Sequence, residues 1–314
     1  MNNQEFVLKK LKEVAKIKSL KLPKYLDITE ADGVVTLSMQ AIKRDKNSYG
    51  VLANMQQDDA AFEGWAICMK AAVPEWKFML DWDFPEDKKN GHYQRFLYRA
   101  KHFSFLYNSW FSISDKGREE INNFSLIKDS AKSEYILNAP LGDPERTNDA
   151  EHSPENLLEN TIIKTQPHEL SSLFNVQQYH RQLPVGLFLD SVAKKNAIFT
   201  HGKSAIDIWG ISEDKTLVIF EVKALGNTKI GAISELFFYA MVMWDEQQKH
   251  FRRESNSELG ISETTSVKAM ILAEHVHPLI NNKKVFELMN QPCEKNIEFG
   301  YVRNPASYSY KRAY

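Results

Sequence analysis

Residues 217–224 run Leu, Val, Ile, Phe, Glu, Val, Lys, Ala, an apolar stretch of strand length that follows a polar turn at 212–215. A continuous run of β-branched and aromatic residues, with no apolar–polar alternation, belongs to a strand covered on both faces. Such a strand sits in the interior of a sheet. Two charges interrupt it. Side chains alternate faces along a strand, so Glu221 and Lys223 share one face. A second apolar strand, residues 205–209, carries Asp207 on the other side of the turn. Buried carboxylates and ammoniums are costly unless they are paired or bind a metal ion. Asp207, Glu221 and Lys223 therefore read as a metal-dependent catalytic cluster. The competing reading is a structural ion pair between Asp207 and Lys223, which would add little stability after desolvation.

An acid near a strand end, a gap, then acid–apolar–lysine on the next strand resembles the signature of the PD-(D/E)XK nuclease superfamily, matched here by Asp207 and by Glu221, Val222 and Lys223. Ile206 stands where the proline of that signature would be. Glu235 and Tyr239 stand where family members carry a Gln-x-x-x-Tyr pattern on the following helix. The resemblance implies an α/β fold: a C-terminal restriction-endonuclease-like mixed sheet flanked by helices, in the core order helix, three strands, helix, strand. It implies a metal-dependent endonuclease that hydrolyses nucleic acid, DNA in preference to RNA, in defence, restriction or repair.

On that resemblance Asp207, Glu221 and the Val222 backbone carbonyl would hold Mg²⁺ or Mn²⁺ through hard oxygen ligands. Lys223 would orient or help deprotonate the attacking water and stabilise the transition state. Glu169 would supply the acid that the first core helix of such enzymes often contributes. Glu235 and Tyr239 would face the site from the next helix, or else serve helix packing. His201, Lys203 and Lys229 are candidate phosphate contacts. A homodimer, with two sites for two strands, follows by the same analogy. The alternative is a nuclease-like protein without turnover, used for nucleic-acid binding or scaffolding.

At 314 residues the chain is long enough for two domains. Residues 139–168, rich in Pro, Asp, Glu, Asn and Ser, read as a polar linker between a separate α+β N-terminal domain (1–138) and the catalytic domain (169–314). The N-terminal domain would serve recognition or partner binding. Its expected elements are an amphipathic helix within 1–24, strands at 34–39 and 76–82, and helices at 59–72 and 93–111. The catalytic domain should hold a helical region at 169–193, strands at 197–200, 205–209, 217–224, 266–273 and 296–302, and helices at 230–245 and 279–289.

With 40 basic and 41 acidic side chains the formal charge is −1, so any nucleic-acid surface must come from local segregation of charge. Cys68 and Cys293 give neither a disulfide framework nor zinc spacing, and fit a reducing cytoplasm. No apolar run approaches the ~20 residues of a membrane span, and the lysine-rich N-terminus lacks the apolar core of a signal peptide. The segment 92–111 interleaves Arg95 and Arg99 with Tyr93, Phe96 and Phe103, a pattern commoner in cores than in nucleic-acid platforms.

Overall fold

The computed structural model describes residues 3–124, 134–140, 154–200, 204–224, 226, 229–254, 260–292, 296–303 and 311–313. The chain forms two compact units, neither of them continuous in sequence. One comprises Met1–Ser130, Lys229–Ser234 and His277–Pro292; the other comprises Ala131–Thr228, Glu235–Val276 and Cys293–Tyr314.

The first unit holds α1 (Asn3–Ala15), β1 (Leu26–Ala31), β2 (Val34–Met39), the hairpin β3 (Ala41–Arg44) and β4 (Asn47–Gly50), α2 (Phe62–Ala72), β5 (Lys77–Trp82), α3 (Gly91–Leu106), β6 (Phe111–Ile113), α4 (Asp115–Asn123) and the helix Lys283–Met289. Its main sheet has the order β1-β2-β5-β6, antiparallel at β1–β2 and parallel at the other two pairings. Parallel neighbours need crossover connections, which α2 and α3 supply. The unit is thus wound as βαβ, where the sequence suggested α+β. Helix α3 starts on an Asn90 cap that accepts the His92 and Tyr93 N–H groups. It stops at Leu106, short of the expected Phe111, because Phe111 already belongs to β6. Tyr93, Phe96 and Phe103 are buried, and so are Arg95 and Arg99, so this face is core.

Arg99 pairs with Glu63 at 2.8 Å, and both are almost fully buried. The Ser234 hydroxyl donates to the same Glu63 oxygen at 2.8 Å, and Arg99 also donates to the Ala60 carbonyl at 3.1 Å. Burial raises the Glu63 pKa, with Arg99 opposing.

The second unit contains β7 (Tyr135–Leu137), α5 (Pro154–Thr165), α6 (His168–Phe174), β8 (Val176–Pro184), β9 (Leu187–Leu189), β10 (Ala205–Ser212), β11 (Thr216–Lys223), α7 (Gly231–Gln247), β12 (Arg252–Arg253), β13 (Ser266–Ala273), β14 (Ile297–Arg303) and β15 (Lys311–Arg312). The first turn of α7 groups with the other unit. Six strands form a mixed sheet in the order β15-β14-β13-β11-β10-β8. Strand β10 runs antiparallel to both of its neighbours, β8 and β11, while β11, β13 and β14 run parallel. Strand β11 is buried at every position, as its unbroken apolar run requires. One sheet face, with Ile208, Val218, Phe220 and Val222, shares a core with Ile162, Leu170 and Phe174 of α5 and α6.

Four expectations are corrected here. The segment 139–168 is not all linker, because 154–165 is helix α5. Proline is favoured at a first helical position, and Leu158, Ile162 and Ile163 turn to the core cluster. Residues 169–193 are not helical throughout: Asn175, at φ 53°, closes α6, and β8 follows. In β8 the buried positions are Val176, Tyr179, Arg181 and Leu183, and the arginine disguises the alternation. The sheet therefore begins with β8, while 197–200 contribute only the bridge between Phe188 and Ala197. The last predicted helix begins at Lys283, on an Asn282 cap, and not at 279.

Glu63→Ala should lower stability by about 3–5 kcal/mol, because it leaves the Arg99 charge buried and uncompensated. Urea unfolding checks this; the double variant Glu63→Gln with Arg99→Met should be less destabilised than the single one.

Candidate active site

The β10–β11 hairpin closes on a side-chain-stapled turn. The Thr216 N–H donates to Ser212 Oγ at 3.1 Å and to Asp214 Oδ1 at 3.3 Å, while Lys215 takes φ 62°. From there the ladder runs from the pair Ile211–Leu217 to the pair Ile208–Phe220 and stops. Beyond that point β10 stays with β8 as far as Ala205–Pro184, and β11 stays with β13 as far as Lys223–Ala273. The two strands part, and Asp207 and Glu221 flank the opening. Asp207 Oδ2 accepts the Val222 N–H at 2.8 Å, taking the place of a main-chain acceptor. In a strand the N–H and C=O of one residue point to the same side. The Val222 carbonyl therefore faces this opening too.

Lys223 Nζ lies 2.5 Å from Glu221 Oε1 and 2.8 Å from Glu235 Oε2, and all three residues are buried. Desolvation pulls the Lys223 pKa down, but Glu221, Glu235 and Asp207 outweigh it and hold it above the usual lysine value. Burial, then the charges of Asp207 and Glu235, keep Glu221 well above the ordinary carboxylate range. Asp207 is pushed up to about 8, first by burial and then by Glu159, with Lys223 and the Val222 N–H opposing.

Glu221 Oε2 is buried without a hydrogen-bond partner. A buried carboxylate oxygen in that state is satisfied by a proton or a cation. Two carboxylates and a carbonyl are hard oxygen donors, and Mg²⁺ is commonly held by one or two carboxylates with water and substrate oxygens completing its shell. The donor set fits such an ion. Among the described residues no group of three or more His, Cys, Asp or Glu side chains is placed to hold a metal.

Of the residues singled out from sequence, Asp207, Glu221, Lys223 and Glu235 come together. Tyr239 is buried one turn further along α7, with its ring 5.6 Å from that of Phe238. Glu169 is exposed in the first turn of α6 and is not among the charges acting on Asp207 or Glu221. Glu159 of α5 is buried and accepts from Arg181 Nη2 and Gln182 Nε2, each at 3.0 Å. It is the strongest neighbouring charge acting on Asp207. The reading of 139–168 as linker hid it; Pro154 ahead of the apolar spacing at 158, 162 and 163 was the signal available. Lys229 is exposed just before α7 and groups with the other unit. His201 and Lys203 lie outside the described residues.

Compared with known protein families, with characterised proteins and with solved structures, the chain matches none. Among the described residues no helix is long and apolar enough to cross a membrane.

Asp207 has an ordinary pKa of 3.8 and is raised to about 8 in the folded site, so between those values the native state holds a proton that the unfolded chain releases. Stability of the metal-free protein should therefore fall as pH rises from about 4 to about 8. Melting temperatures in EDTA across that range should fall less steeply for Asp207→Asn; an unchanged slope would contradict the assignment.

Proposed function

We propose that this protein is a metal-dependent endonuclease of the restriction-endonuclease-like fold, acting on DNA in preference to RNA. The observation that carries the reading is the parting of β10 from β11, which brings Asp207, Glu221, the Val222 carbonyl and Lys223 to one opening. The order of the elements around it supports the reading. Leaving aside β9 and β12, which belong to a separate sheet, helix α5 and the short α6 precede β8, β10 and β11, then come α7 and β13, the succession of helix, three strands, helix, strand.

In this reading Asp207 and Glu221 with the Val222 carbonyl would hold Mg²⁺ or Mn²⁺, which would supply Lewis-acid stabilisation of phosphate charge and acidify water. Lys223 keeps its proton, since its pKa is raised in the metal-free site. It therefore acts as a charged hydrogen-bond donor to the phosphate or the attacking water, and not as the base. Glu235 holds that ammonium in place from α7. The enzyme would work in the cytoplasm as a homodimer, in defence, restriction or repair, with the first unit recognising target or partner.

A second reading, a nuclease-like binding or scaffolding protein without turnover, draws on the engagement of Lys223 by two carboxylates, which resembles a finished structural ion cluster.

Incubation with plasmid, linear duplex, single-stranded DNA and RNA in Mg²⁺ or Mn²⁺ separates the two. Cleavage should drop at least about a hundredfold in Glu221→Ala and in Lys223→Met, and full cleavage by Glu221→Ala sinks the enzymatic reading. Mg²⁺ should also raise the melting temperature of the wild type and not of Asp207→Ala.

A further inference from the structure

Beside the proposed site, the outer edge of the six-stranded sheet carries a groove that the cleavage chemistry does not use. It is lined by Gln177, Gln178 and His180 of β8 together with Trp209, Ile211 and Glu213. Strand β8 ends the sheet, so its outer side has no further strand of that sheet beside it. Its pairing with β10 shifts register between Gly210 and Ser212, so that Gln177 and Gln178 together face the single residue Ile211. A bulge of this kind re-aims side chains and recurs next to active sites. Gly210 makes the close approach possible. A Cβ there would lie 2.5 Å from Val176 Cγ1 and 2.9 Å from the Gln178 carbonyl oxygen.

Two features of the groove point to a flat heteroaromatic ligand. The His180 ring stacks on Trp209, with centroids 4.7 Å apart and planes at 30°. Trp209 is buried, and its indole nitrogen has no hydrogen-bond partner. Polar groups for a ring edge surround this stack. Glu213 is fixed by Gln177 Nε2 at 3.2 Å and Asn175 Nδ2 at 3.1 Å, and the exposed Gln178 amide offers both a donor and an acceptor. Among the described residues no lysine or arginine lines the groove, and the Glu213 carboxylate would repel a phosphate.

We propose that this groove takes one nucleobase of the substrate strand, an amino-bearing base (adenine or cytosine), stacked on His180. The proposal rests on the nuclease reading for its substrate class. A base π-face stacks on an aromatic ring whatever the sequence, while glutamine suits the adenine edge and a carboxylate accepts from the cytosine amine. The position agrees. Trp209 lies two residues from Asp207 on the same strand face, about 7 Å along β10, so a base held there belongs to a nucleotide at or next to the scissile phosphate.

The test uses the full chain in Ca²⁺, with fluorescein-labelled 12-nucleotide oligo(dA), oligo(dC), oligo(dT) and an abasic strand of equal length, read by anisotropy. The wild type should bind oligo(dA) or oligo(dC) about tenfold tighter than oligo(dT) or the abasic strand. His180→Ala should remove the advantage over the abasic strand, His180→Phe should keep it, and Gln178→Ala should level the bases. Equal binding of all four strands, no binding of any, or a preference that survives both alanine variants would overturn the pocket. A protein that discriminates bases here yet never cuts in Mg²⁺ keeps the pocket and loses the nuclease reading.

Discussion

One buried ammonium governs the electrostatics of the six-stranded sheet. Lys223 faces Glu221 and Glu235 at contact distance, and Asp207 acts on it from across the opened ladder. Without it, Glu221, Glu235, Asp207 and Glu159 would confront one another where water is scarce, and like charges in that setting drive carboxyls to protonate. Burial first, and then the neighbouring acids, raise the pKa values of Asp207 and Glu221 in spite of the lysine. Protonation lowers the cost of gathering these acids, and it falls where β10 and β11 part.

The first unit holds an instructive contrast. Its Glu63–Arg99 pair is as deeply buried, and it too leaves single atoms unsatisfied, namely Glu63 Oε1 and Arg99 Nε. Unsatisfied atoms alone therefore do not make a site. The pair in the first unit is one acid against one base, tied by Ser234 and the Ala60 carbonyl within a helical core. The cluster around Lys223 has an excess of acid, an interrupted ladder, and main-chain groups of Val222 turned into the gap. Charge imbalance at an opening in the sheet separates the two.

What could be read from the sequence follows from the range of the forces involved. Glu221 and Lys223 share a face by the two-residue period of a strand, and Glu235 lies near the start of a strongly apolar helix, so local pattern sufficed for them. Helix α5 and strand β8 were not legible in the same way. Helix α5 follows a stretch of turn-forming residues, and its buried Glu159 looks like a surface acid until Arg181 is seen beside it. Strand β8 conceals its core face because Arg181 occupies an apolar-type position. Each member of that pair is explicable only through the other, 22 residues away in the chain, and no local period can reveal such a partner. Glu169 stands out in the sequence in place of Glu159 because it is the only carboxylate of residues 169–189, the stretch that reads as the first core helix.

Strand β8 gains a role that its polar sequence did not announce. Successive residues on a strand point to opposite faces, so Arg181 and His180 work on opposite sides of the sheet. Arg181, opposite Ile208 in the register, turns to the face shared with α5 and fixes Glu159, whose charge acts on Asp207. His180, opposite Trp209, turns the other way and stacks on the indole at the outer groove. A one-residue slip of β8 would exchange these faces and bury an imidazole where a guanidinium must neutralise an acid. The bulge at Gln177 and Gln178 falls between Gly210 and Ser212, beyond both of these pairs, so β8 can be irregular at the groove while its register at Arg181 is kept. The same edge strand thus acts on the charge around Asp207 from one face and shapes the outer groove on the other.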